Sequence, residues 1–368
     1  MFSNTYRLRL MPPVVSTQPM LFARRKIRIT STGRDWTNKR DREPMALYQG
    51  KWIKLGQKGG GPGARSSHAV AVVGQKAYVF GGEFAPRVPV DNQLHVYDLK
   101  DHTWSIAEVS GDVPPPRVGV TMAALRGIIY VFGGRDADHK ELNELYSFDT
   151  STNQWALLSS GPDGPPNRSY HSTAADERRV YVFGGCGVSG RLNDLWAYDV
   201  DDQKWIRFPV PGESCLPRGG LGLNVSGGII WVVYGFSGVE LDDVHFFDPV
   251  KNEWALVETV GEKPTPRSVF STVAIGKHIF LCGGEIDPSD LGHLGAGMFS
   301  REAFVLDTET RKWARCQDSA DVGHHPGPRG WCAFSAAQID GKEGLLVYGG
   351  NSPTNDRLED IFFFAPDL

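Results

Sequence analysis

The chain has 368 residues, 40% of them hydrophobic and 22% charged, with a formal net charge of −4. Neither sign dominates, so nothing in the balance points to nucleic acid or to an anionic membrane surface. No apolar run approaches the roughly 18–20 residues a spanning helix needs, and the length accommodates two average domains or one large all-β domain.

In chain order the first segment, residues 1–44, differs from the rest. From Met1 to Arg34 there is no Asp or Glu, while Arg, Ser and Thr are frequent. Such a composition is what an organellar transit peptide looks like. An upstream extension of the gene model, with Met45 as the working start, has the same signature. Both readings make residues 1–44 a disordered basic extension and leave 45–368 as the folded domain. The five cysteines, Cys186, Cys215, Cys282, Cys316 and Cys332, form no CxxC or zinc spacing. They fit a reducing compartment, expected to be the cytoplasm unless residues 1–44 direct import into an organelle.

GKWIKLG around Trp52 is the first expected strand, and a repeat then sets in. Tryptophans recur at Trp52, Trp104, Trp155, Trp205, Trp254 and Trp313, a period of roughly fifty residues. Arginines recur as ARSSH, PRVGV, NRSYH, PRGGL, PRSVF and PRGWC, at Arg65, Arg117, Arg168, Arg218, Arg267 and Arg329. Hydrophobic runs end in glycine pairs in five units (YVFGG three times, FLCGG, VYGG), whereas the fourth has VVYG with Gly235 alone. Within the first unit SHAVAVV, AYVFGG, QLHVYDL and TWSIAEV are strand-like runs separated by turns. Four antiparallel strands at this period describe a propeller blade, stable only when neighbours cover both of its faces.

These marks resemble the kelch repeat over residues 46 to 368. The resemblance implies an all-β, six-bladed kelch β-propeller. The last repeat ends at DIFFFAPDL without a tryptophan-bearing fourth strand, so the N-terminal strand is expected to close the last blade and remove two open edges. The periodic arginines are expected to bond carbonyls of adjacent blades, and the periodic tryptophans to form the core between blades.

Each glycine pair ends a strand near the point where the repeat's arginine begins one, so both lie at one end of the ring. Long loops follow at that end: EFAPRVPVDN, RDADHKELN, CGVSGRLN and EIDPSDLGHLGAGMFSRE. Length on one face of a repeat array is a binding-face signature. The longest loop holds Glu285, Asp287, Asp290 and His293, oxygen and nitrogen ligands of the kind Fe2+, Mn2+ or Zn2+ accept. Polar loop residues without an ion explain the same cluster.

MALYQGKWIKLGQKGGGPGARSSHAVAVVG, PPPRVGVTMAA, VFGGRDA, WVVYGF, LDTETRKW and PRGWCAF resemble the plant kelch-repeat specifier proteins, the nitrile-specifier, epithiospecifier and thiocyanate-forming group. That resemblance implies an Fe2+-dependent lyase, nitrile-forming and sulfate-releasing, acting on glucosinolate aglucones that myrosinase releases. It implies a metal motif Glu-x3-Asp-x3-His, met here by Glu285 and His293, whereas Ser289 stands at the middle position. Asp290 is then the expected third ligand and Asp287 the alternative. It further implies Arg135 and Arg191 as the substrate arginines, and Tyr170 and Trp331 as an aromatic lining. The competing expectation is a kelch platform that binds another protein through the same loops and performs no chemistry.

Overall fold

The structure, a computed structural model, describes residues 48–321 and 323–368. The extension expected over residues 1–44 and the side chain of His293 lie outside the described residues. The described chain falls within one compact unit, Ala46–Leu368. It is an all-β kelch propeller whose principal elements are six four- or five-stranded sheets, one per repeat.

The first sheet shows how each is built. Ala69–Val73, Lys76–Phe80, His95–Asp98 and Thr103–Ile106 run antiparallel in that order. Ala77, Tyr78, Val79 and Phe80 are all buried, as expected of an inner strand covered on both faces by neighbouring sheets. The glycine pair that ends this strand has a steric cause. Gly81 and Gly82 both have positive φ, and a Cβ on Gly82 would meet the Ser66 carbonyl oxygen at 2.8 Å and the His68 Cβ at 2.6 Å. Only glycine fits there.

The sixth sheet recruits the N-terminal strand. Gln49–Lys54 pairs antiparallel with Arg357–Asp367, Trp52 lying opposite Phe364. Three sheets also carry an outer strand, added in parallel, that the repeat pattern did not suggest: Ser110–Gly111 on the second, Val260–Gly261 on the fifth and Gln317–Ala320 on the sixth.

The inner strands Ala69–Val73, Thr121–Leu125, Ser172–Ala175, Gly222–Ser226, Ser271–Ile275 and Ala333–Ile339 touch in cyclic order, the last against the first. A cycle of backbone hydrogen bonds follows the same path. The residue two beyond each periodic arginine donates its N–H to the carbonyl of its counterpart in the preceding repeat. The donors run Ser67, Gly119, Tyr170, Gly220, Val269 and Trp331, and Ser67 donates to Trp331; the six bonds are 2.8–3.0 Å long. All six residues have φ between 48° and 60°, the left-handed region that costs a non-glycine residue strain.

The periodic arginines do not reach across to neighbouring sheets as expected. Each Nη1 donates at 3.0–3.1 Å to a carbonyl of its own repeat, that of the first glycine of the pair or of Tyr234, which stands in its place. Each guanidinium also faces an acidic residue of its own repeat, among them Asp91, Asp194 and Asp360. The arginine backbone makes the link between repeats instead: the Arg117 carbonyl accepts from Gly82, and the Arg65 carbonyl from Gly350. The tryptophans do pack between sheets. Trp104 sits among Tyr97 of the first sheet and Tyr348 of the sixth, and Trp155 among Phe80 and Phe148.

Candidate functional site

The residue after each glycine pair, or after Gly235, bridges antiparallel to the residue after its own repeat's arginine, as Ser66 does with Glu83 and Ser268 with Glu285. Glu83, Arg135, Cys186, Phe236, Glu285 and Asn351 thereby occupy equivalent places in the six repeats. All six line one cavity of about 260 Å³, near the lower end for small-molecule sites. Tyr170, Gly220, Val269 and Trp331, members of the hydrogen-bonded cycle, line it as well. The Tyr170 and Trp331 rings meet edge to face with centroids 5.5 Å apart. Pro288, Ser289, Gly292 and Gly295 contribute from the long loop of the fifth repeat.

The two arginines expected at the site are both in this lining. Arg135 donates from Nε to Glu141 Oε1 at 3.0 Å and from Nη2 to the same oxygen. Burial works against its charge, but the hydrogen bond and charge of Glu141 outweigh it and raise its pKa. The guanidinium also lies 5.7 Å from the centre of the Tyr170 ring. Arg191 enters on the ribbon Gly190–Arg191, and its guanidinium sits 4.6 Å from the centre of the Phe236 ring. Both arginines are held by stacking that leaves donors for a ligand. Burial pushes the Cys186 thiol up, against the lowering effect of Arg191, so it is a poor nucleophile. Burial, followed by the charge of Glu83, likewise raises the Tyr170 phenol.

The candidate ion ligands whose side chains are described differ in burial. Glu285 is buried and lines the cavity, with Oε1 accepting from the Gly297 N–H at 3.1 Å. Asp287 and Asp290 are exposed and outside the lining. Ser289, at the family's Asp position, does line it, and its hydroxyl accepts from the Leu291 N–H at 3.2 Å. His293 lies in the 3-10 turn Gly292–Leu294. Among the described residues no three His, Cys, Asp or Glu side chains converge. Local charge nevertheless suits a cation. Burial, then the charges of Glu285 and Asp287, push the Glu240 carboxyl up to about 8, against the lowering bond from Ser268. Glu240 Oε2 is buried without a hydrogen-bond partner. A hard divalent ion beside Glu285 would relieve this crowding of carboxylates.

Sequence reasoning missed Glu83, Cys186, Phe236, Asn351 and Arg357 in the lining. The signal for the first four was present: Glu83, Cys186 and Asn351 follow the glycine pair and Phe236 follows Gly235, the position singled out in the second and fifth repeats only.

Residues 67–284 match the family model described as the KLHDC2/KLHL20/DRC7 Kelch-repeats domain. The chain is 43% identical over 342 residues to an N-(sulfonatooxy)prop-2-enimidothioate sulfolyase of Thlaspi arvense, covering 86% of this chain and 97% of the relative. It is 28% identical over 332 residues to acyl-CoA-binding domain-containing protein 4 of Arabidopsis thaliana, of which it spans 48%. It is also 28% identical over 280 residues to kelch domain-containing protein 3 of Rattus norvegicus, covering 72% of this chain and 71% of that protein. With six kelch repeats opening onto one small cavity, and this likeness along nearly the whole sulfolyase, the chain belongs to the plant kelch-repeat specifier protein family.

Proposed function

We propose that this protein is a nitrile-specifier-like sulfolyase, acting in the cytoplasm on the thiohydroximate-O-sulfates that myrosinase releases from glucosinolates. In this proposal the six sheets are six blades of a ring closed by the N-terminal strand, which is what holds the site rigid. The observation that carries the reading is the meeting of Arg135, Arg191 and Glu285 in one small cavity, although they come from three different repeats. Three guanidiniums (Arg135, Arg191, Arg357) and two carboxylates (Glu83, Glu285) line the cavity, with Glu141 behind Arg135 balancing the third positive charge; the guanidinium donors on the wall suit the oxygens of an anionic substrate.

Conversion of R–C(S⁻)=N–OSO3⁻ to a nitrile breaks the N–O bond, and the electron pair leaves on sulfate. The C–S pair becomes the third C–N bond, and sulfur departs uncharged. No proton moves, so no general base is needed. Arg135 and Arg191 hold the sulfate oxygens and stabilise the charge that grows there. A preorganised donor shielded from water is worth about 3–4 kcal/mol; Arg135 is half-buried, whereas Arg191 is exposed and contributes less until a ligand covers it. Tyr170 and Trp331 pack the variable side chain. Fe2+, held by Glu285 and His293 with Asp290 or Asp287, would supply a Lewis-acidic centre with affinity for the substrate sulfur.

The test is product analysis. Purified protein is incubated with myrosinase and allyl glucosinolate, with added Fe2+ or with a chelator. Nitrile is expected to rise with Fe2+ and fall back to the protein-free level with the chelator. An unchanged isothiocyanate yield in every arm rejects the reading. It would favour a protein-binding platform instead, for which the exposed Phe84, Val88, Leu291 and Met298 offer an apolar surface on two loops.

A further inference from the structure

We infer that Arg357, which no sequence motif suggests, is a third substrate-binding guanidinium that grips the sulfate group from the wall opposite Arg191. This inference rests on the sulfolyase reading. Three observations carry it, beginning with register. Each lining residue after a glycine has a second antiparallel partner, on the strand or ribbon that returns from the loop. Arg191 is that partner for Cys186, and Arg357 is that partner for Asn351. The two arginines therefore occupy equivalent positions in the third and sixth repeats, half the hydrogen-bonded cycle apart.

The second observation is that the fold does not require a guanidinium there. The same position is Pro89 in the first repeat and Phe299 in the fifth. The structural arginine of the sixth repeat, which holds a glycine carbonyl, is Arg329.

The third is that the group is buried and incompletely satisfied. The Arg357 side chain is 4% exposed, and the residue lines the cavity. Nη1 donates to Asn351 Oδ1 and to the carbonyl and Oδ1 of Asn355, each at 3.1 Å. Nη2 has only Glu83 Oε1, at the long distance of 3.5 Å, and Nε is buried with no partner. Nη1 is thus committed to the protein, while the Nε–Nη2 edge, the side-on fork that matches an oxyanion, is left underused. A buried donor without an acceptor is costly unless a ligand completes it. An oxygen of sulfate would do so. Arg191 and Arg357 would then clamp one tetrahedral anion between them.

The test is titration of the full-length protein with inorganic sulfate, followed by calorimetry, for wild type, Arg357→Gln and Arg357→Lys. Melting temperatures are measured alongside, and each protein is also run in the product assay with myrosinase and allyl glucosinolate. Arg357→Gln is expected to weaken sulfate binding about 10–100-fold, and Arg357→Lys about 10-fold, because an ammonium cannot form the fork. KM in the product assay should rise in step. Sulfate affinity within twofold of wild type in either variant overturns the inference, as does a wild type that binds no sulfate. Should Arg357→Gln fail to fold, Arg357→Lys decides alone. Nitrile formation by wild type together with unchanged sulfate affinity in the variants rejects this inference and leaves the sulfolyase reading standing. No nitrile from wild type rejects that reading, while the titration still decides whether Arg357 holds an anion.

Discussion

Arg135 and Glu141 show what a single contact does at this site. The carboxylate is 7% exposed and meets two nitrogens of the guanidinium, so it fixes the direction in which the remaining donors point. Replacing Arg135 with Gln is expected to cut kcat/KM for nitrile formation about 10²–10³-fold, the size seen when one preorganised donor is lost. Glu141→Gln keeps the shape but loosens the grip. Its expected loss is about 10-fold, expressed in kcat more than in KM, and steady-state kinetics on both variants checks the order. A second residue-scale effect concerns the buried histidines His68 and His171. Burial, then the charge of Arg65, pushes His68 down to about 3, and burial with Arg168 holds His171 well below its usual value. The unfolded chain therefore takes up protons that the folded one refuses. Stability is fully present above pH 6.5 and is lost as pH falls toward about 3. Melting temperature should drop across that window, and a His68→Gln, His171→Gln double variant should flatten the drop. A variant with wild-type pH dependence counts against this assignment.

At the scale of elements, the N-terminal strand carries the clearest expectation. Trp52 is 2% exposed and packs on Phe362 and Phe364, so Trp52→Ala should cost about 3–5 kcal/mol in chemical unfolding. Deleting residues 46–56 strips a hydrogen-bonded neighbour from Arg357–Asp367 and should lower the melting temperature of the whole domain. Equal melting temperatures with and without that strand would contradict a closed ring. Strands of this kind were legible because their signals are local: alternation, glycine pairs and a missing tryptophan strand at the end of the chain. The parallel add-ons at Ser110–Gly111 and Val260–Gly261 were not legible, because two-residue pairings leave no periodicity. The arginine bonds were misplaced for a related reason. A period shows that a residue type recurs, but not whether its side chain turns to its own sheet or to the next.

For the whole molecule, repetition explains both what the sequence disclosed and what it concealed. Glu285 could be singled out from its loop, and Arg135 and Arg191 through the resemblance to the specifier proteins. Their meeting depends on six equivalent positions, one per repeat, being gathered around a single cycle of backbone hydrogen bonds, with Arg191 brought in as the strand partner of the third, Cys186. Arg357 stayed hidden because its likeness to Arg191 is one of strand register, visible only once Asn351 and Cys186 are paired with their partners. The loop of Glu285 contributes to the lining, but spacing could not tell that Ser289 lines the cavity while Asp287 and Asp290 are exposed. The most direct test of the account compares the nitrile-to-isothiocyanate ratio from allyl glucosinolate and myrosinase in the presence of wild-type protein and of a folded Arg135→Gln, Arg191→Gln double variant, both with Fe2+. The account predicts a nitrile-rich mixture with wild type and a ratio equal to the protein-free control with the double variant. A double variant that still yields the wild-type ratio would contradict it.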